Sequence, residues 1–207
     1  MFAVTTASSD NTLLTIAELR SAIGVSDNSK DADLTTLGAR VAAQIYNVCN
    51  IAKDGATPPT LREETCSDTF REREFQEKIV LSRRPVTEII SITECDVALT
   101  EDQYELEPSS GIIKRLCNDR ETLWYPGKIV VAYVAGYATV PDDLKLAASK
   151  FVQSIYRTGS RDPLLRSVTI EGVSTREYWV DPNNDSIVPG EVMDILNQGD
   201  YVEPVAG

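Results

Sequence analysis

Asp142 and Asp143, together with Glu63 and Glu64, are the residue types from which a carboxylate general acid and base would be built. Two aspartates directly after Pro141 also fit the first turn of a helix, where negative charge meets the positive end of the helix dipole and proline's missing N–H costs nothing. The second reading is the simpler one. The other chemistry-bearing types are thin. The chain contains no histidine, which removes Ser-His-Asp and Cys-His nucleophile activation and the HExxH zinc helix. It has no Ser-x-x-Lys, no GxG and no GxxxxGK phosphate loop. Cys49, Cys66, Cys95 and Cys117 stand 17, 29 and 22 residues apart with no CxxC, and read as small buried thiols rather than a disulfide or zinc framework. The calcium-like run Asp27 to Asp33 has Ala32 where the loop requires glycine and Gly38 where it requires glutamate, so it reads as a solvated loop feeding a helix cap. No cofactor or metal is expected.

The elements around these residues are of two kinds. Residues 1–12 are small and polar and are expected to form a flexible arm. Thr15-Ile16-Ala17-Glu18 is a capping box opening a helix that Gly24 ends. Leu34, Leu37, Val41, Ile45 and Val48 recur at three- and four-residue steps and predict a longer second helix. Gly55 to Pro59 breaks that pattern, and residues 61–135 read as strands: Thr69 to Phe75, Lys78 to Leu81, Val86 to Thr93, a hairpin of Tyr104–Leu106 with Ile112–Leu116 about Gly111, and Lys128 to Val134 as the central strand. Helical periodicity returns after Pro141, with Leu144, Ala147, Ala148, Phe151, Ile155 and Tyr156 on the buried face. Two short extended pieces, a helix from about Pro189 to Asn197 and a tail complete the chain.

The expected fold class is therefore α+β. A small antiparallel helical core (13–60 and 136–166) carries an inserted β-rich module (61–135) and a C-terminal extended segment with a short helix and tail (167–207).

At 207 residues with 42% hydrophobic and 25% charged side chains, the chain has ordinary globular composition and is long enough to bury a real core. No apolar run approaches a bilayer span and the start lacks a signal-peptide pattern, so a soluble, unsecreted protein is expected. The net charge of −12 opposes tight binding to duplex DNA, which takes several cations to displace condensed counterions. It suits a surface past which DNA slides without sticking.

Charge is also placed unevenly. Lys145, Lys150, Arg157, Arg161 and Arg166 face one acid, Asp162, whereas after residue 170 only Arg176 stands against eight acids. Opposite blocks of this kind can pair between neighbours in a head-to-tail ring, or simply pair within the chain. Tyr178 and Trp179 in the acidic region can anchor a partner or fill a core. Arg71, Arg73, Arg83 and Arg84 can ring an acidic face or guard a strand edge.

Three passages in order carry a likeness. They are Leu14-Thr15-Ile16-Ala17-Glu18-Leu19-Arg20, then Leu81-Ser82-Arg83-Arg84-Pro85-Val86-Thr87-Glu88-Ile89, then Val131 to Lys145 with its Tyr133, Ala135-Gly136-Tyr137 and Val140-Pro141. Arg161-Asp162-Pro163 and Glu171-Gly172-Val173-Ser174 fit the same series. Over about residues 13 to 197 the chain resembles the head-tail connector proteins, the adaptor or head-completion proteins of tailed bacteriophages and gene transfer particles. That resemblance implies a non-enzymatic structural virion protein of the neck. It would form a ring of twelve copies between the portal protein and a stopper or tail-terminator protein, with DNA passing through without specific binding and no membrane contact. It would sit in the virion, and in the host cytoplasm during assembly. The expected subunit or portal interface comprises Lys150, Arg157, Arg161, Arg166, Tyr178, Trp179, Val192, Ile195, Leu196 and Tyr201. The competing readings are a non-catalytic binding module outside any ring, and a small carboxylate-dependent enzyme.

Overall fold

The computed structural model describes residues 1–159, 167–170, 174–177 and 188–202. They divide into two compact units, one of residues 1–11 and 46–140, the other of residues 12–45 and 141–202.

The first unit is built on β9 (Gly127–Ala135), an apolar run whose burial alternates along the strand. Ile129, Val131, Tyr133 and Ala135 are buried, while Lys128, Val130, Ala132 and Val134 face the other way. β9 lies between β2 (Glu64–Glu72) and β4 (Val86–Glu94), antiparallel to both. β1 (Phe2–Thr6) and β5 (Val97–Ala98) complete a five-stranded sheet in the order β1-β2-β9-β4-β5. A second antiparallel sheet runs β3 (Lys78–Val80), β7 (Ile112–Cys117), β6 (Tyr104–Glu107), with β8 (Arg120–Thr122) on the far end of β7. Ile79, Leu81, Ile113 and Trp124 from the second layer join Cys66, Val86, Ile92 and the β9 residues in one buried cluster. The Trp124 indole N–H donates to the Ile113 carbonyl at 3.3 Å, so the largest ring in that cluster buries no orphan donor.

Tight turns set the registers. Cys95 and Asp96 (φ 50° and 65°) join β4 to β5, and Asn118 and Asp119 (φ 53° and 61°) join β7 to β8. Successive positive φ values give the primed turns whose twist matches a hairpin. Where β9 ends, Gly136 (φ 104°) passes so close to Arg62 that an added Cβ would stand 2.4 Å from the Arg62 carbonyl oxygen. Only glycine fits there.

Residues 2–6, expected within a flexible arm, are instead an edge strand: Phe2, Ala3 and Val4 pair with Asp68, Ser67 and Cys66. Phe2 and Val4 add partly buried apolar surface to the core, a gain that composition alone did not reveal. The β1 edge is blunted where Asp54 accepts the Val4 N–H, and inside the sheet the β4–β9 pairing carries register breaks at Val86/Glu88 and Ile89/Ser91.

The second unit is helical. α1 (Ile16–Ile23) starts with the full capping box, Thr15 accepting from the Glu18 N–H and Glu18 from the Thr15 N–H, and stops at Gly24 in the left-handed region. α2 (Asp31–Val48) begins where Arg20 pairs with Asp31, so the calcium-like loop is indeed a lead-in to a helix. Leu34, Val41 and Ala42 are its buried stripe in this unit, with Ile45 at the boundary. α3 (Asp142–Gly159) buries Leu144, Ala147, Ala148, Phe151 and Val152, and packs against α1 and α4 (Gly190–Gln198). Ile155, expected on the buried face, is exposed, and Tyr156 is half-buried with its hydroxyl against Lys30. β10 (Ser167–Ile170) and β11 (Ser174–Glu177) form a two-stranded antiparallel ribbon.

Candidate assembly surfaces

Two of the four carboxylates that could do chemistry, Asp143 and Glu64, are engaged in holding structure. Asp143 accepts the Leu144 N–H at 2.8 Å and the Tyr201 hydroxyl at 2.6 Å, fastening the chain after α4 to the start of α3. Glu64 is buried in the first unit. One of its oxygens accepts the Ser8 N–H at 3.1 Å, and the other lies 3.3 Å from an Nη of Arg83. That second oxygen makes no well-aligned hydrogen bond, so the contact is charge pairing more than bonding. Glu63 and Asp142 are exposed. Among the described residues no group of three or more Cys, Asp or Glu side chains is arranged to hold a metal ion.

Arg83, one of four arginines with a possible surface role, is buried. It donates to the carbonyls of Ala52 (3.0 Å) and Thr60 (2.6 Å), and its backbone N–H goes to the Tyr133 hydroxyl. Tyr133 in turn donates to Asp68 at 2.9 Å, and Asp68 also accepts from the backbone N–H and hydroxyl of Ser82. Burial, with the Asp68 carboxylate beside it, drives the Tyr133 phenol far above its usual range. This network ties β2, β9 and the loops on either side of them together. Sequence reading missed it because Glu64 and Asp68 are polar residues at strand positions and Arg83 lies in the loop between β3 and β4, where nothing local marks it as buried; only β2's alternation placed Glu64 and Asp68 on the inward side. Arg71 and Arg73 remain exposed.

The thiols also divide. Cys49 and Cys66 are buried, and burial raises the Cys66 thiol to about 12, whereas Cys95 in the β4–β5 turn and Cys117 at the end of β7, both expected to be buried, are exposed.

The expected interface residues fall into three groups. Arg161, Arg166, Tyr178 and Trp179 lie outside the described residues. Lys150 and Arg157 are on α3; Lys150 pairs with Glu191 of α4 at 2.7 Å and Arg157 is exposed. Lys145 likewise pairs with Glu18 at 2.9 Å. For Lys150 the basic and acidic stretches meet within one chain, whereas Lys145 is matched by an acid of α1. Val192, Leu196 and Tyr201 are buried and Ile195 is partly buried, so the apolar side of α4 is already covered by its own chain. The period that marks an apolar face cannot tell which surface covers it.

The described residues expose nine large hydrophobic side chains. Val97, Leu123, Tyr125 and Phe75 gather at the end of the β unit where β2 finishes and β9 starts, with the Phe75 and Tyr125 ring centroids 5.5 Å apart.

A family model of the head completion protein matches residues 12–198. The chain belongs to the head completion protein family. Among the described residues the match takes in α1 to α4 and every strand except β1. No curated protein matches the chain. Solved structures share its fold: a chain in the neck of an empty GTA particle computed with C6 symmetry (19% identity, TM-score 0.56), one in the virion of a native gene transfer agent particle (17%, 0.57), and one in the neck of a native GTA particle computed with C12 symmetry (18%, 0.53). Each comparison spans 100% of this head completion family member and 98% of the other chain.

Proposed function

We propose that this head completion family member is a non-enzymatic structural protein of a virion neck, assembled as a ring of twelve copies between a portal protein and a stopper or tail-terminator protein. The family match over residues 12–198 carries the reading, and the full-length likeness to chains in gene transfer particle necks supports it. The chemistry of the chain agrees. Asp143 and Glu64 brace the fold, the chain contains no histidine, and its charge of −12 lets a polyanion pass through a ring without adhering.

Within the ring, Lys150, Arg157, Arg161 and Arg166 are proposed to meet the acidic C-terminal region of the next copy, with Tyr178 and Trp179 as anchors. Val192, Ile195, Leu196 and Tyr201 act behind that surface, holding α4 against α3 so that the chain beyond it starts from a fixed place. Copies made in the host cytoplasm are proposed to join the particle at the portal. Cryo-electron microscopy of purified particles tests this. Density for this chain in a ring directly below the portal is expected, and its absence from the neck would refute the proposal.

A further inference from the structure

At the tip of the β unit a hollow of about 540 Å³, open along one side, lies between the β4–β5 turn, the end of β7 and the chain entering β9. Its walls are Val97, Leu99 and Tyr125, and its floor is the pair Glu94 and Arg115. Both Glu94 oxygens are engaged, one by the Arg115 Nε–H at 3.1 Å and the other by the Tyr125 N–H at 2.9 Å. Arg115 directs one Nη to the carbonyls of Gln103 and Leu116, at 2.8 and 2.6 Å. Its other Nη donates to no group among the described residues, nor does the side-chain amide nitrogen of Gln103, whose oxygen accepts from the Thr100 N–H. The hollow therefore offers unengaged donors on a guanidinium and an amide while its one carboxylate is already neutralised. Around it stand Val97 at 64%, Tyr125 at 57%, Phe75 at 55% and Leu123 at 44% exposure. Large apolar side chains grouped in this way mark a protein-binding surface.

We infer that this tip docks an extended segment of a neighbouring protein in which a carboxylate adjoins a large apolar side chain. The carboxylate meets Arg115 and Gln103, and the apolar group packs among Val97, Leu99 and Tyr125. Resting on the neck reading above, the segment belongs to a different protein of the neck. A second copy is disfavoured because a head-to-tail contact needs a complementary patch elsewhere on the same chain. The other exposed large apolar side chains among the described residues are dispersed: Met1 before β1, Val80 on β3, Ile90 on β4, and Leu146 and Ile155 on α3.

The test uses whole particles. A photo-crosslinking amino acid replaces Val97 or Tyr125 in the full-length chain, and crosslinked peptides are identified by mass spectrometry. Crosslinks to another neck protein, within two residues of an Asp, Glu or terminal carboxylate, are expected. Val97→Asp and Gln103→Glu should each lower the yield of complete particles at least tenfold while leaving the melting temperature of the free chain within a few degrees. Gln103→Glu keeps an oxygen that accepts from the Thr100 N–H, removes the amide donor and adds a repelling charge. Crosslinks to DNA or to a second copy, to a peptide without a carboxylate, or none at all would overturn the inference, as would wild-type yields from both variants. If the chain is absent from particles, the neck reading falls as well; if it is incorporated but its tip has no neighbour, only this inference falls.

Discussion

At the scale of single residues, Arg83 is a buried charge that braces several segments of the first unit. It balances Glu64 and satisfies two carbonyls in a place where water cannot substitute. Arg83→Met should destabilise the chain by about 3 to 5 kcal/mol, because it leaves a buried carboxylate without its counter-charge. Adding Glu64→Gln should cost less than the sum of the two single changes, since both act on one pair. Urea unfolding of the three variants measures this, and additive losses would show that the pair is not coupled. The titratable groups predict the pH profile. Backbone N–H groups of Thr57 and Ala56 hold Asp54 below its ordinary 3.8, and the Thr15 N–H does the same for Glu18 below 4.5. Stability from these carboxylates is present above about pH 4.5 and is lost as pH falls through their lowered values. Burial raises Tyr46 from 10.0 and Cys66 from 9.0, each to about 12. Above pH 9 to 10 the unfolded chain therefore sheds protons first, and stability declines toward about 12. With no histidine, urea midpoints should be flat from pH 5.5 to about 7.5. A step near pH 6.5 would contradict that account.

Among the elements, α4 is the one whose role changed between sequence and structure. Its apolar positions were legible as a stripe, and the structure shows that stripe closed against α3, with Lys150–Glu191 and Tyr201–Asp143 at its margins. Leu196→Ala should cost about 2 to 5 kcal/mol, as for other fully buried leucines, and should free α4 before the rest of the molecule opens. Hydrogen exchange checks this: amides of α4 should lose protection while those of β9 keep theirs. Equal loss in both would mean that the two units open together. Elements with a self-contained signal were the ones read correctly. The Thr15 capping box, Gly24, the short β-branched and aromatic run of Lys128 to Val134 and the hairpin at Gly111 each encode their local geometry in a few adjacent residues. β1 was missed because its stability comes from a partner strand about 60 residues away, which no local pattern announces.

For the whole molecule the governing quantity is the charge of −12. Duplex DNA titrated with the purified chain should show no retardation at about 0.15 M salt, where the screening length is about 8 Å. A shifted band that disappears on adding salt would reveal a basic surface concentrated enough to override the average. The sequence by itself determined the exclusion of histidine-based chemistry, the α+β class, most helices and strands, and the order of passages that carries the family likeness. These follow from composition and from patterns repeating within a few residues. Tertiary structure alone decided that Arg83 and Glu64 are buried partners, that α4 faces inward, that Cys95 and Cys117 are exposed, and that Val97, Tyr125, Phe75 and Leu123 converge at one tip. Burial is a property of what lies opposite a side chain, and in this fold the opposite residue is often dozens of positions away, beyond the reach of any local period.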